Sequence, residues 1–112
     1  MQIVERSAGT VTVLDLSGQI TFTQGDQQFK DKINSLVHQG HTKILVNMGN
    51  VTHVDSAGLG ELVGAFTTVT KAGGSMKLVN LTKKLHDLLA ITKLLTVFDT
   101  FDSEQDALKD FA

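Results

Sequence analysis

A serine hydroxyl beside a carboxylate is the feature of this sequence best suited to chemistry. Ser56 follows Asp55 in a run that reads Asp-Ser-Ala-Gly-Leu-Gly and ends at Gly60. A nucleophilic serine in a hydrolase turn needs glycine two residues before it, but Val54 stands there. We therefore expect no serine catalysis at this position and no enzymatic activity from the chain.

The other residue types that commonly form reactive or ligand sites give no pattern. The four histidines are scattered, and Gly40 separates the one close pair, His38 and His41, so surface histidines are a better explanation than a zinc site. The glycines that follow Ser56 lack the lysine of a phosphate-binding loop. The sequence contains no cysteine, which excludes disulfides and thiol catalysis. We expect neither a metal nor a cofactor.

Composition indicates one soluble globular domain over residues 1–112, with 41% hydrophobic and 20% charged residues. The net charge of −2 lacks the basic excess that nucleic-acid binding requires. No apolar run approaches the roughly 20 residues that span a bilayer, and the N-terminus shows no secretion signal. We expect a cytoplasmic protein with no nucleic-acid partner and no membrane insertion.

Hydrophobic periodicity predicts an α/β fold. Alternating or β-branched runs predict strands at residues 2–6, 10–16, 43–48, 76–79 and, as a short piece, 96–98. Apolar residues at helical spacing predict helices around residues 29–37, 59–69, 81–89 and 107–111. The alternation of the two predicts a mixed sheet of about five strands covered by about four helices.

Local signals predict where these elements begin and end. Thr23 with Asp26 resembles a capping box before the first helix, and Ser103 caps the last helix. Glycine and asparagine at residues 49 and 50 predict a turn after the third strand. Either Asp55 or Ser56 falls at the N-cap of the second helix, and capping is the commonest role for a serine there.

The second helix contains two glycines, Gly60 and Gly64, each of which costs about 1 kcal/mol relative to alanine. Both lie away from the apolar stripe of the helix, which leaves the outward face free of side-chain bulk. Such a face would let a partner approach closely. Packing of one of these glycines against a neighbouring element of the same domain is the alternative.

The run from Asp55 to Gly60 resembles the signature of STAS domains of the anti-sigma factor antagonist type, Asp-Ser-Ser/Ala-Gly-Leu-Gly at the start of the second helix. The likeness extends over the whole chain, since the element order and Ser17-Gly18 after the second strand match the family. It implies a phosphorylation-controlled partner switch. An anti-sigma factor with serine kinase activity would bind the unphosphorylated protein, phosphorylate Ser56 and dissociate, and a serine phosphatase would reverse the modification.

The resemblance and the glycine-rich helix face together define the expected site. Ser56 would be the phosphoacceptor, and Asp55 would help to position it. The partner surface would comprise Asp55, Ala57, Gly58, Leu59, Gly60 and Gly64 of the second helix, with Gly18, Gln19 and Thr21 after the second strand.

The chain departs from the family pattern at three positions. Gln19 and Thr21 replace an acidic pair that family members usually carry after the second strand, and Asn47 stands where many have aspartate. A phosphorylation-independent scaffold module of a stress-signalling or transport complex is therefore the alternative function.

Overall fold

The computed structural model describes residues 1–111, and Ala112 of the expected domain lies outside the described residues. The described part contains five strands and four helices in the predicted order. These are β1 (Gln2–Ala8), β2 (Val11–Ile20), α1 (Asp26–His38), β3 (Lys43–Val54), α2 (Ser56–Lys71), β4 (Ser75–Val79), α3 (Lys83–Ile91), β5 (Asp99–Phe101) and α4 (Glu104–Phe111).

The five strands form one mixed sheet in the order β1-β2-β3-β4-β5. The opening hairpin makes β1 antiparallel to β2, and every later pair is parallel. Each parallel pair is joined by a helix, because a chain that continues in the same direction must first cross back over the sheet. The predicted α/β class and mixed sheet are confirmed.

Two apolar clusters hold the helices to the sheet. The larger cluster joins α1, α2 and α3 to the sheet through residues such as Phe29, Leu62 and Leu89, all with no exposed surface. The smaller cluster joins α4 to the sheet through Ala107 and Leu45. Alternate residues of β3 belong to different clusters, as expected for a strand with both faces covered.

Strand β3 extends six residues beyond its predicted end, so the turn expected at Gly49 and Asn50 is wrong. Asp15 of β2 pairs with Asn47, and Ser17 pairs with Asn50. An advance of two residues along β2 is therefore matched by an advance of three residues along β3. The extra residue is accommodated as a bulge. Glycine therefore marks an irregular strand here, and β3 continues to Val54, two residues before the candidate phosphoacceptor Ser56.

Other predicted boundaries are wrong as well. Strand β2 continues to Ile20, four residues beyond its predicted end, so Gly18 and Gln19 lie within this strand and not after it. The first helix begins at Asp26 with Gly25 as its N-cap, at φ +87°, because residues 21–24 form a separate turn that removes Thr23 from the capping position. The short strand expected at residues 96–98 is instead β5, Asp99–Phe101. Phe98 turns into the core, where its ring meets that of Phe66 edge to face at 5.5 Å.

The cap expected at Ser103 is confirmed, since its Oγ accepts a hydrogen bond from the amide of Asp106 at 3.2 Å.

A hydrogen-bond network explains why asparagine suits position 47. The Asn47 amide donates from Nδ2 to Asp15 Oδ1 at 2.9 Å, and its Oδ1 accepts from the Gly49 amide and from Asn80 Nδ2. Hydrogen bonds hold the pKa of Asp15 below its ordinary value. The Arg6 guanidinium makes the largest contribution, and the Asn47 amide makes a smaller one. An aspartate at position 47 would lose the donor to Asp15 and place two carboxylates together.

Candidate functional site at the start of α2

The carboxyl ends of β2 and β3 bring the two predicted halves of the site together. Gly18 pairs with Val51 and Gln19 pairs with His53, so the end of β2 runs beside the segment that leads into α2. Parallel strands end at the same edge of a sheet. Gln19 and Thr21 therefore lie at the edge where α2 begins.

Asp55 links these two segments through its side chain. It is the N-cap of α2, with extended backbone, and its Oδ1 accepts from the Gly58 amide at 2.9 Å. Its Oδ2 accepts from the Phe22 amide at 3.0 Å, in the loop between β2 and α1. These two hydrogen bonds hold the pKa of Asp55 below its ordinary value, and the one from the Phe22 amide contributes more than the one from the Gly58 amide. One ionised carboxylate thus joins a loop and a helix.

Ser56 is the first residue of α2, and its side chain is exposed. Because Asp55 caps the helix, the interpretation of Ser56 as the cap is wrong. The Ser56 hydroxyl makes no hydrogen bond with any residue from 1 to 111. None of the four histidines is therefore placed to act as its base. A hydroxyl at this position is accessible to an incoming enzyme.

Gly58 is the point of closest approach between α2 and the sheet. It is buried, and a Cβ added to it would lie 1.7 Å from the carbonyl oxygen of Ile20. No side chain fits at that distance. The predicted site residues on either side, Ala57 and Leu59, are half-buried, and Leu59 packs against the larger core cluster.

Gly60 and Gly64 lie on the outward face of α2. A Cβ added to either would meet no atom within 4 Å among the described residues beyond its own helix and chain neighbours. The alternative that one of them packs against a neighbouring element is therefore wrong. Gly64 also lines a groove of about 150 Å³ between α1 and α2, together with Lys30 and Asn34.

Phe22 is a residue that the sequence analysis missed. Phe22 is 76% exposed. It directly follows Thr21, and its amide donates a hydrogen bond to Asp55. Nothing in the sequence indicates this exposure, because Ile20-Thr21-Phe22-Thr23 alternates apolar and polar residues and so continues the pattern of a half-buried strand.

Comparison with known sequences identifies the family to which this arrangement belongs. The sequence profile of the STAS domain matches residues 2–107. The chain is a member of the STAS domain family. The anti-sigma-B factor antagonist of Bacillus subtilis is 40% identical over 70 residues, which cover 62% of this STAS chain and 63% of that relative. The match thus spans less than two thirds of the relative's length.

Solved structures share the STAS fold. A Thermotoga maritima protein assigned to the anti-sigma factor antagonists superposes with a TM-score of 0.91 at 21% identity, over 97% of this chain and 93% of that one. The Bacillus protein SpoIIAA, an anti-sigma factor antagonist, superposes with TM-scores of 0.73 in its unphosphorylated form and 0.75 in its phosphorylated form, both at 19% identity. The alignments cover 97% and 99% of this chain, and 96% and 100% of SpoIIAA. None of the four helices in residues 1–111 has the length and apolar character to cross a bilayer.

We predict opposite effects for alanine at two glycines of α2. Gly58→Ala should destabilise the domain by more than about 2 kcal/mol, because the methyl group would overlap the Ile20 carbonyl. Gly64→Ala should stabilise it by about 0.5–1 kcal/mol, because the new methyl group meets open space and helix propensity improves. Urea unfolding of both variants measures the difference. Equal effects would contradict the packing assigned to Gly58.

The lowered pKa of Asp55 predicts a pH-dependent contribution to stability. A depressed pKa means that the stabilisation is present above the unfolded value of about 3.9 and is lost as the pH falls through the lower folded value. Asp55→Asn should therefore be less stable than wild type at neutral pH, with a difference that shrinks below about pH 4. Denaturant unfolding across this range tests the prediction.

The matched control is Asp102→Asn, since Asp102 is exposed and its side chain makes no hydrogen bond within residues 1–111. The free energy of unfolding of Asp102→Asn should equal that of wild type across the whole pH range. A stability difference for Asp55→Asn that did not change with pH would contradict the hydrogen bonds assigned to the carboxylate.

Proposed function

We propose that this STAS domain is an anti-sigma factor antagonist that acts by phosphorylation-controlled partner exchange. It has no catalytic role of its own. When Ser56 is unphosphorylated, the domain binds an anti-sigma factor with serine kinase activity in the cytoplasm, which frees a sigma factor for transcription. Phosphorylation of Ser56 releases the anti-sigma factor, and a serine phosphatase restores the binding form. The observation that carries this proposal is the exposed Ser56 hydroxyl, which has no hydrogen-bond partner in the described residues and follows a capping Asp55.

Because Asp55 caps α2, a modification of Ser56 does not remove the helix cap. The helix keeps its cap when Ser56 carries a phosphate, because the hydrogen bond to the Gly58 amide comes from Asp55. The N-terminal end of a helix also favours negative charge. A phosphate at the first helical residue is therefore compatible with the fold. SpoIIAA, which has this fold, has been solved both with and without phosphorylation.

The same phosphate would oppose a complex that covers Ser56. It adds about −1.5 to −2 charges next to the Asp55 carboxylate, whose lowered pKa keeps it ionised. Inside an interface these charges lose water and repel each other unless the partner supplies cations. A thousandfold weaker complex requires only about 4 kcal/mol, which one poorly placed interfacial charge can supply.

Neutral residues at Gln19 and Thr21 do not prevent this mechanism. The Thr21 hydroxyl donates to the Gln24 carbonyl and accepts from the Gln24 amide, both at 3.2 Å, so it supports the turn that carries Phe22. Asp55 supplies a carboxylate to the same turn. In place of the acidic pair common in the family, this chain has Gln19 at the end of β2 and an uncharged turn held by Asp55, and we expect the kinase to recognise this surface.

Ser56 variants test the switch against the scaffold alternative. The recombinant anti-sigma factor kinases of the source organism are each titrated with wild type, Ser56→Ala and Ser56→Asp by calorimetry. We expect one kinase to bind wild type and Ser56→Ala with similar affinity and Ser56→Asp at least a hundredfold more weakly. The free energy of unfolding of Ser56→Asp should stay within about 0.5 kcal/mol of wild type.

Ser75→Asp is the matched control for added charge. Ser75 is exposed at the start of β4, at the amino edge of the parallel strands, whereas Ser56 lies at their carboxyl edge. This variant should bind like wild type. Equal binding of wild type and Ser56→Asp would contradict the switch, and the scaffold function would then be the better explanation.

A further inference from the structure

The described residues carry four large apolar side chains that remain exposed, and Phe22 is one of the two most exposed. The exposed fraction is 76% for Phe22 and 80% for Ile91, compared with 47% for Val4 and 38% for Val97. Phe22 alone among these four has its amide bound to the residue that precedes the candidate phosphoacceptor. Exposure of an aromatic ring costs free energy that burial in a partner would recover.

The loop that carries Phe22 is held firmly. Thr21 and Gln24 exchange two backbone hydrogen bonds, of 2.6 and 3.1 Å, so Phe22 and Thr23 are the central residues of a tight turn. Gly25, which follows the turn, packs so closely that an added Cβ would lie 2.1 Å from the Gln19 carbonyl oxygen. A ring presented by a rigid turn loses little conformational entropy when a partner buries it.

Phe22 also lies within reach of any partner that covers Ser56. A typical protein interface buries about 800 Å² on each partner, equivalent to a disc about 30 Å across. The Phe22 amide is 3.0 Å from the carboxylate of Asp55, the residue next to Ser56. An interface of ordinary size centred on Ser56 is therefore large enough to include Phe22.

From these observations we propose that Phe22 is the aromatic anchor of this partner surface and that Asp55 positions it. The inference rests on the proposed function, because the occupant is the anti-sigma factor that binds at Ser56. That partner would offer an apolar pocket for the ring beside polar groups that face Ser56. Asp55 serves the site in two ways, since the carboxylate that caps the phosphoacceptor's helix also fixes the loop that carries the ring.

Truncation of the ring tests this proposal with Ile91 as a matched control. Ile91 is similarly exposed and ends α3. Because α3 connects the parallel strands β4 and β5, it must cross back over the sheet, and we therefore expect Ile91 to lie away from the edge that carries Ser56. The anti-sigma factor kinase that binds wild type is titrated with Phe22→Ala and Ile91→Ala. We expect Phe22→Ala to bind at least tenfold more weakly and Ile91→Ala to stay within twofold of wild type.

The role of Asp55 is tested by a double-mutant cycle on the same affinities. If Asp55 acts through Phe22, Asp55→Asn should weaken binding of the kinase. The loss of affinity that Asp55→Asn causes should then be smaller in the Phe22→Ala variant than in wild type. Independent effects would overturn the positioning role. A Phe22→Ala affinity within twofold of wild type, or an equal loss for Ile91→Ala, would overturn the anchor. If wild type bound no anti-sigma factor kinase, the proposed function itself would fail, and this inference with it.

Discussion

The hydrogen bonds of the Asp55 carboxylate to two backbone amides determine the geometry of the candidate site. One amide belongs to Phe22 in the loop after β2, and the other belongs to Gly58 in the first turn of α2. The carboxylate can make both bonds because Gly58 has no side chain, which lets α2 begin in contact with the Ile20 carbonyl. Removing either the charge or the glycine would change the position of Ser56 relative to the loop.

This arrangement separates the surface that carries the proposed switch from the core that holds the fold. The buried side of α2 packs through residues such as Leu62 and Val69. The outward side presents Ser56, Gly60 and Gly64, where the described residues leave open space around both glycines. A charge added at Ser56 therefore acts on whatever covers this face, and a change of fold is unnecessary. Local charge changes of this kind are sufficient for many regulatory modifications.

The sequence predicted the element order because periodicity reports burial directly. Phe29, Ile33 and Leu36 recur at helical spacing and all lie in the core of the described chain. The errors occurred where tertiary pairing outweighs local signals. Gly49 resembles a turn residue locally, but pairing of β2 with β3 makes it part of a bulge.

The site itself was predictable only in part. The Asp-Ser-Ala-Gly-Leu-Gly run located the start of α2, because capping signals and family patterns are local in sequence. The hydrogen bond from Phe22 to Asp55 joins residues 33 positions apart, and no local pattern predicts it. The exposure of Phe22 depends on that contact and on the turn around it, so composition and spacing could not identify the ring as part of the surface.

Release by phosphorylation of Ser56 is tested by following a purified complex of this chain with the proposed anti-sigma factor kinase after addition of ATP and Mg²⁺. Size-exclusion chromatography reports the complex, and peptide mapping by mass spectrometry locates the phosphate. We expect a single phosphate on Ser56 and separation of the two proteins as it forms. A complex that persists after Ser56 is fully phosphorylated, or dissociation accompanied by phosphate at another residue, would contradict the proposed release.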